Sequence, residues 1–254
     1  MSETMPIQDS SANSAPQGLS QIERVIDAYV APSKTFTDIR RSSSWWLPFL
    51  LSMLASLLFT FALQHEIGFQ KVAESIVNNN PQMQERTRSM TPAQVQGMET
   101  GIATGVRMIS YAFPVILLLI ALISSGVLMA SFNFGLGAQA SFAQYLALWF
   151  YGTLPLLLKS LLTSVTLFAG LGADQFQMEN PVGSNIGFYL GQDAPAWLSK
   201  LLSFADVFTI WSVLLLILGG AIIAKVKRNS AAIVVVGWFV LVILVSTVMA
   251  VLRG

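Results

Sequence analysis

The stretch MISYAFPVILLLIALISSGVLMASF, residues 108–132, decides the fold, because no Asp, Glu, Lys or Arg interrupts it. A bilayer's hydrocarbon core is about 30 Å thick and takes roughly 20 helical residues to cross, so this run is long enough to span. Four further runs, near 45–64, 142–168, 207–224 and 231–252, meet the same length, and the strongly charged segments lie between them. The fold class that follows is all-α: a polytopic bundle of five transmembrane helices over 45–252, preceded by an amphipathic interfacial segment.

Composition agrees, with 54% hydrophobic and 11% charged residues in 254, where a soluble domain carries about 25% charged. The 14 Lys and Arg nearly cancel the 13 Asp and Glu, so no global field recruits nucleic acid. Cysteine is absent, which excludes disulfides and thiolate metal ligands.

Outward from the spans, residues 1–18 are rich in Ser, Pro and Gln and lack an apolar core, so they read as a disordered tail rather than a signal peptide. In the amphipathic segment 19–44, Leu19, Ile22, Val25, Ile26, Tyr29 and Val30 recur at helical spacing, and Glu23, Arg24 and Asp27 fall on the other face. Pro32 suits the first turn of a second short helix, with Phe36 and Ile39 inward and Lys34, Asp38, Arg40 and Arg41 outward. The pattern leaves two placements open: on the membrane surface, or packed on the protein's own helical ends. Trp45 and Trp46 at the first span and Trp197 before the fourth are expected as interfacial anchors, since an indole is apolar with one polar handle.

The polar outer loop 65–107 should hold two helical pieces divided near Asn78–Pro81. Thr91, Pro92 and Gln94 form a helix start with no stop before the apolar run, which predicts one helix from Pro92 to about Phe132, roughly 60 Å long. Pro114 should bend it. Gly97, Gly101 and Gly105 form a bare stripe suited to close packing, either on the chain's own Lys71–Val77 helix or on a second copy, a homo-oligomer. Asn133–Ser141 reads as a short uncharged turn, and the third span exceeds the length needed, so it is tilted or broken near Pro155.

Lys159 is the one ionisable residue well inside an apolar run, where such groups are functional candidates. It either snorkels to the far interface or pairs with Asp206, which opens the fourth helix at the same membrane face and meets the positive end of its dipole. Lys225, Lys227 and Arg228, together with Arg40 and Arg41, fall on one side if the chain crosses five times, and the positive-inside rule makes that side and the N-terminus cytoplasmic.

Chemistry is sparse. His65, the sole histidine, sits beside Glu66 without the partners a transition metal needs, and no phosphate loop, nucleophile elbow or HExxH occurs. No catalytic residue, metal or cofactor is assigned. The order of features resembles the bacterial branch of the Yip1 family across about residues 22–250. The resemblance lies in Pro32, Phe36 and Ile39 before Trp45, Trp46 and Pro48, in Ser141–Leu162 with Tyr145, Tyr151 and Pro155, and in Asp206, Phe208, Ile210 and Trp211 leading to Gly219, Gly220 and the basic turn. It implies a five-helix protein of the bacterial cytoplasmic membrane with a cytosolic N-terminal segment and no catalytic residues. Eukaryotic relatives bind prenylated Rab GTPases in vesicle traffic, an activity that transfers poorly here; the long outer loop and second helix depart from the compact version. Two functions are therefore expected as alternatives: a scaffold binding lipid or a protein partner through the amphipathic segment, or a small transporter or channel using a polar path near Pro155, Lys159 and Asp206.

Overall fold

The structure, a computed structural model, describes residues 18–170, 181–190 and 194–253. The expected tail falls almost wholly outside the described residues, as do Asp174, Glu179 and Asp193 of the acidic outer loop. Among the described residues every regular element is helical. Five helical stretches are long and apolar enough to cross a membrane: Trp46–Glu66, Pro92–Phe134, Phe142–Phe168, Val207–Ala224 and Arg228–Leu252. The chain is an integral membrane protein.

Two short helices lead in. Helix α1 (Gln21–Val30) starts with a reciprocal capping box between Ser20 and Glu23. The Ser20 backbone N–H, and then its hydroxyl, hold the Glu23 carboxyl below its ordinary value. Helix α2 (Pro32–Ile39) begins on its proline. The first span is α3 (Trp46–Glu66), and the outer loop folds as α4 (Phe69–Asn78) and α5 (Pro81–Thr87), the latter capped by Asn80. Helix α6 (Pro92–Met129) carries the expected Thr91–Gln94 capping box and runs 38 residues, about 57 Å. It ends in one π-helical turn, Ala130–Phe134, so Asn133 belongs to a helical turn rather than to the connecting loop. There Asn133 donates to the Ala140 carbonyl at 2.9 Å and accepts from the Tyr145 hydroxyl at 2.9 Å, tying the turn closed.

The third span is broken rather than merely tilted. Helix α7 (Phe142–Gly152) stops at Thr153, and α8 (Leu154–Phe168) restarts with Pro155 in its first turn. Proline has no N–H to continue the ladder. The Thr153 hydroxyl back-bonds to the Trp149 carbonyl at 2.8 Å, and the Tyr29 hydroxyl, from α1, donates to the Leu154 carbonyl at 2.9 Å. After a 3₁₀ turn at Ile186–Tyr189 and α9 (Ala196–Ser203) come α10 (Val207–Ala224) and α11 (Arg228–Arg253).

The main core lies where α2, the end of α6, α7, α10 and the start of α11 converge, with Phe36, Phe132, Tyr145, Leu148, Tyr151 and Ala231 fully buried. Small residues permit the convergence. A Cβ on Gly219 would lie 2.5 Å from Leu148 Cδ1 and 2.7 Å from the Phe36 ring, and one on Gly152 would lie 2.5 Å from Leu216. The stripe Gly97, Gly101 and Gly105 behaves differently: a Cβ on any of the three would meet nothing within 4 Å beyond the helix's own backbone. The expected contact with the Lys71–Val77 helix is not made there. Helix α4 instead packs Phe69, Val72 and Ala73 on the Ile102, Ala103 and Val106 side of α6, where side chains supply more apolar area to bury than bare glycines can.

These two glycine environments predict opposite responses. Gly219→Val should overpack the core and cost about 1–3 kcal/mol, whereas Gly101→Ala should stabilise the projecting part of α6 by up to about 1 kcal/mol. Equilibrium unfolding in detergent micelles checks both, and equal shifts would contradict this packing.

Candidate functional site

Two polar centres are built into the bundle. The first joins α8 to α10. Lys159 Nζ donates to Asp206 Oδ2 at 2.9 Å, and the Asp206 side chain is wholly buried. Asp206 is also the N-cap of α10, its Oδ1 accepting the Thr209 N–H at 3.0 Å, and the Ser184 hydroxyl donates to its other oxygen. Its main chain pairs with Asn185 in an isolated antiparallel bridge, which binds the loop between α8 and α10 to the start of the helix. The Ser184 hydroxyl, the Lys159 ammonium and the Thr209 N–H together satisfy the buried carboxylate.

Of the two expected placements, the structure has Lys159 paired with Asp206. Neighbouring Ser160 donates to the Ala55 carbonyl at 3.4 Å, which sets the α8 backbone there beside the middle of the 21-residue α3, while the ammonium is held at the N-terminus of α10. Lys159 keeps some exposure, with 22% of its side chain accessible. The described grooves lie elsewhere. One of about 350 Å³ runs along Ser131, Gly237 and Trp238, and one of about 290 Å³ lies at Asn80, Met83 and Leu252.

The second centre corrects the expected polarity of α1 and α2. Arg24, expected on the solvent face, is 1% exposed, and Asp38 turns inward to meet it. Arg24 Nε donates to Asp38 Oδ2 at 2.6 Å and its Nη1 to the Ser42 carbonyl at 2.8 Å, while Arg41 bridges Asp38 from outside at 2.9 Å. The buried Thr35 hydroxyl donates to the Arg24 carbonyl at 2.9 Å. An arginine fork satisfied on both sides can be enclosed where a lone charge could not. The cluster locks α1 to α2 as a helical hairpin. The hairpin is fixed to the bundle by Phe36 over Gly219, by Tyr29 edge-on to Trp211 at 5.7 Å, and by Tyr151 donating to Gln21 at 3.2 Å.

The remaining candidates are dispersed. Trp46 and Trp197 are half exposed, as anchors would be, but Trp45 is turned inward and stacks on Phe150 at 5.5 Å with an interplanar angle of 12°. Pro155 lies one turn before Lys159 and marks the break. His65 meets Glu66 at 2.8 Å at an exposed helix end, and among the described residues no three His, Asp or Glu side chains cluster as metal ligands would. Ser184, Thr35 and the Ser42 carbonyl were not foreseeable, since each meets its partner across a loop or hairpin whose closure leaves no periodic trace.

Removing one member of the α8–α10 pair should expose its cost. Lys159→Met leaves a buried carboxylate and should lose about 3–5 kcal/mol. Adding Asp206→Asn, which keeps the cap on Thr209, should recover most of that loss, as read from thermal unfolding in detergent.

A family profile described as the Yip1 domain matches residues 26–250. No curated protein and no solved structure matches the chain significantly. The matched region takes in the hairpin from the middle of α1 and all five spans, and so the chain belongs to the Yip1 domain family.

Proposed function

We propose that the protein is a non-enzymatic membrane scaffold of the Yip1 type, which organises lipid and a protein partner at one face of the bilayer through the α1–α2 hairpin. One observation carries this reading: the hairpin is bolted into the spanning core by Phe36, Tyr29 and the Arg24–Asp38 pair, yet its outer surface is left uncovered. A rigid, outward-facing platform suits recognition, because a partner need not order it on binding. The sparse chemistry described above supports a role without catalysis. The clustering of Arg40, Arg41, Lys225, Lys227 and Arg228 at one end of the bundle supports a cytoplasmic N-terminus in a bacterial inner membrane, by the positive-inside rule. The open Gly97–Gly101–Gly105 stripe leaves room for a second copy as a homo-oligomeric contact.

The broken third span favours a second reading. A discontinuous helix beside an intramembrane ion pair is how many carriers hold a solute near the midplane, which makes Pro155, Lys159 and Asp206 the core of an alternative transport path. The charges of that pair are already committed to each other, to Ser184 and to the α10 N-terminus, so the scaffold comes first.

A single variant separates the two. Lys159→Met with Asp206→Asn removes both charges while leaving the hairpin untouched. The scaffold reading expects photocrosslinkers at the exposed Lys34 and Thr37 to yield the same discrete protein adducts in the variant as in the parent. Solute flux in proteoliposomes that is present in the parent and abolished by the double change, with no adducts in either, would overturn it in favour of transport.

A further inference from the structure

Helix α1 has three faces rather than two. Arg24 and Ala28 are buried against the protein, with Val25 and Tyr29 packed beside them. Ser20, Glu23 and the half-exposed Asp27 form a polar face. Between these, Ile22, Ile26 and Val30 recur every four residues as one stripe, and they are 67%, 55% and 73% exposed. A helix wholly in water would bring such residues against its own protein, and a helix wholly in hydrocarbon would not carry Glu23 and Asp27 uncovered. The arrangement needs three environments meeting along one line, and the edge of a membrane protein at the lipid–water boundary supplies them.

Charge indicates which lipid surface this is. The end of α2, the start of α7 and the end of α10 converge: Gln144 of α7 donates to the Arg40 carbonyl at 3.1 Å, and Phe132 bridges Tyr145 and Gly220. Lys34, Arg40, Arg41, Lys225, Lys227 and Arg228 are all exposed at or near this end. Cations at that position are drawn to the headgroups of an anionic leaflet. Three aliphatic side chains are far too little surface for a stable protein interface, which needs roughly 800 Å² per partner. They suffice for a helix already tethered to a bundle to rest on acyl chains.

We propose that α1 is an interfacial lipid contact: its Ile22–Ile26–Val30 face lies on the acyl chains of the leaflet at the basic end, and the surrounding cations gather anionic phospholipid headgroups there. This contact deepens the lipid half of the scaffold reading and rests on it; the quenching below reads the lipid contact, whereas the crosslinking above reads the protein partner, so the two fail separately. It also gives the uncovered hairpin surface two occupants, lipid for the aliphatic stripe and water or a partner for the Glu23 face.

The absence of cysteine makes the test direct. Single cysteines at Ile22, Ile26, Val30 and, for comparison, Glu23 and Asp27 are labelled with an environment-sensitive fluorophore in the whole chain. The labelled variants are reconstituted in phosphatidylcholine vesicles with or without phosphatidylglycerol. Each should unfold in detergent at the parent's temperature, which shows that the label has not disturbed the hairpin. Nitroxides on the acyl chains should quench the labels at 22, 26 and 30 several-fold more than those at 23 and 27, with aqueous iodide showing the reverse order. Acyl quenching of the stripe should increase when phosphatidylglycerol is present and decline again in high salt. Equal access of iodide to all five sites, or protection of the stripe from both quenchers, as a protein partner or second copy would give, overturns the lipid contact. Quenching indifferent to phosphatidylglycerol overturns the assignment of anionic headgroups.

Discussion

Hydrocarbon offers no water to a buried polar group, and the architecture of this protein follows from how that demand is met. Each spanning helix satisfies its own backbone, and where the ladder is interrupted a side chain steps in. Thr153 bonds back to Trp149 at the break in the third span, and Tyr29 supplies a hydroxyl to Leu154 beside it. Hydroxyls inside the spans follow the same rule: Thr60 bonds the Ser56 carbonyl, Ser125 that of Ala121, Thr163 that of Lys159 and Ser164 that of Ser160. Among the described residues, the Asn185 amide nitrogen and the Thr247 hydroxyl are the buried side-chain groups left without a partner.

Charge is handled by the same principle at higher stakes. Asp206 is wholly buried and would be costly without Lys159, and the carboxylate is also committed to the α10 N-terminus and to Ser184. One residue thereby joins a broken helix, a helix cap and the outer loop. In the α1–α2 hairpin, Arg24 is enclosed only because Asp38 and the Ser42 carbonyl occupy its fork from two directions. Both clusters are structural joints first. Whatever the protein binds, it presents on a frame whose internal charges are already spoken for.

Family membership carries the fold and the membrane setting and leaves the partner open. In the arrangement proposed above, the hairpin is where protein, lipid and water meet, which places recognition there. Its rigidity comes from the core rather than from itself, because α1 and α2 are only 10 and 8 residues long and would be marginal helices alone.

Much of this was legible from residue order, for a definite reason: span length, capping boxes and proline breaks are local signals, encoded within a few turns. The runs at 108–132 and 207–224, the Thr91–Gln94 start, and the cap at Asp206 are of that kind, and the topology they imply already brought Lys159 and Asp206 to one membrane face. What periodicity could not decide was which face of an amphipathic helix meets the protein. Along α1 it separated isoleucines from charges but placed Arg24 in water, whereas the fold encloses Arg24 and turns Ile22, Ile26 and Val30 outward. In the same way the spacing of Gly97, Gly101 and Gly105 signalled close packing, but α4 found more apolar area to cover on the neighbouring face. Sequence by itself determined the elements and their crossing of the bilayer, since hydrophobic length and backbone hydrogen bonding act locally. Only the tertiary structure decided which surfaces were covered, since that depends on partners distant in the chain competing for the same face.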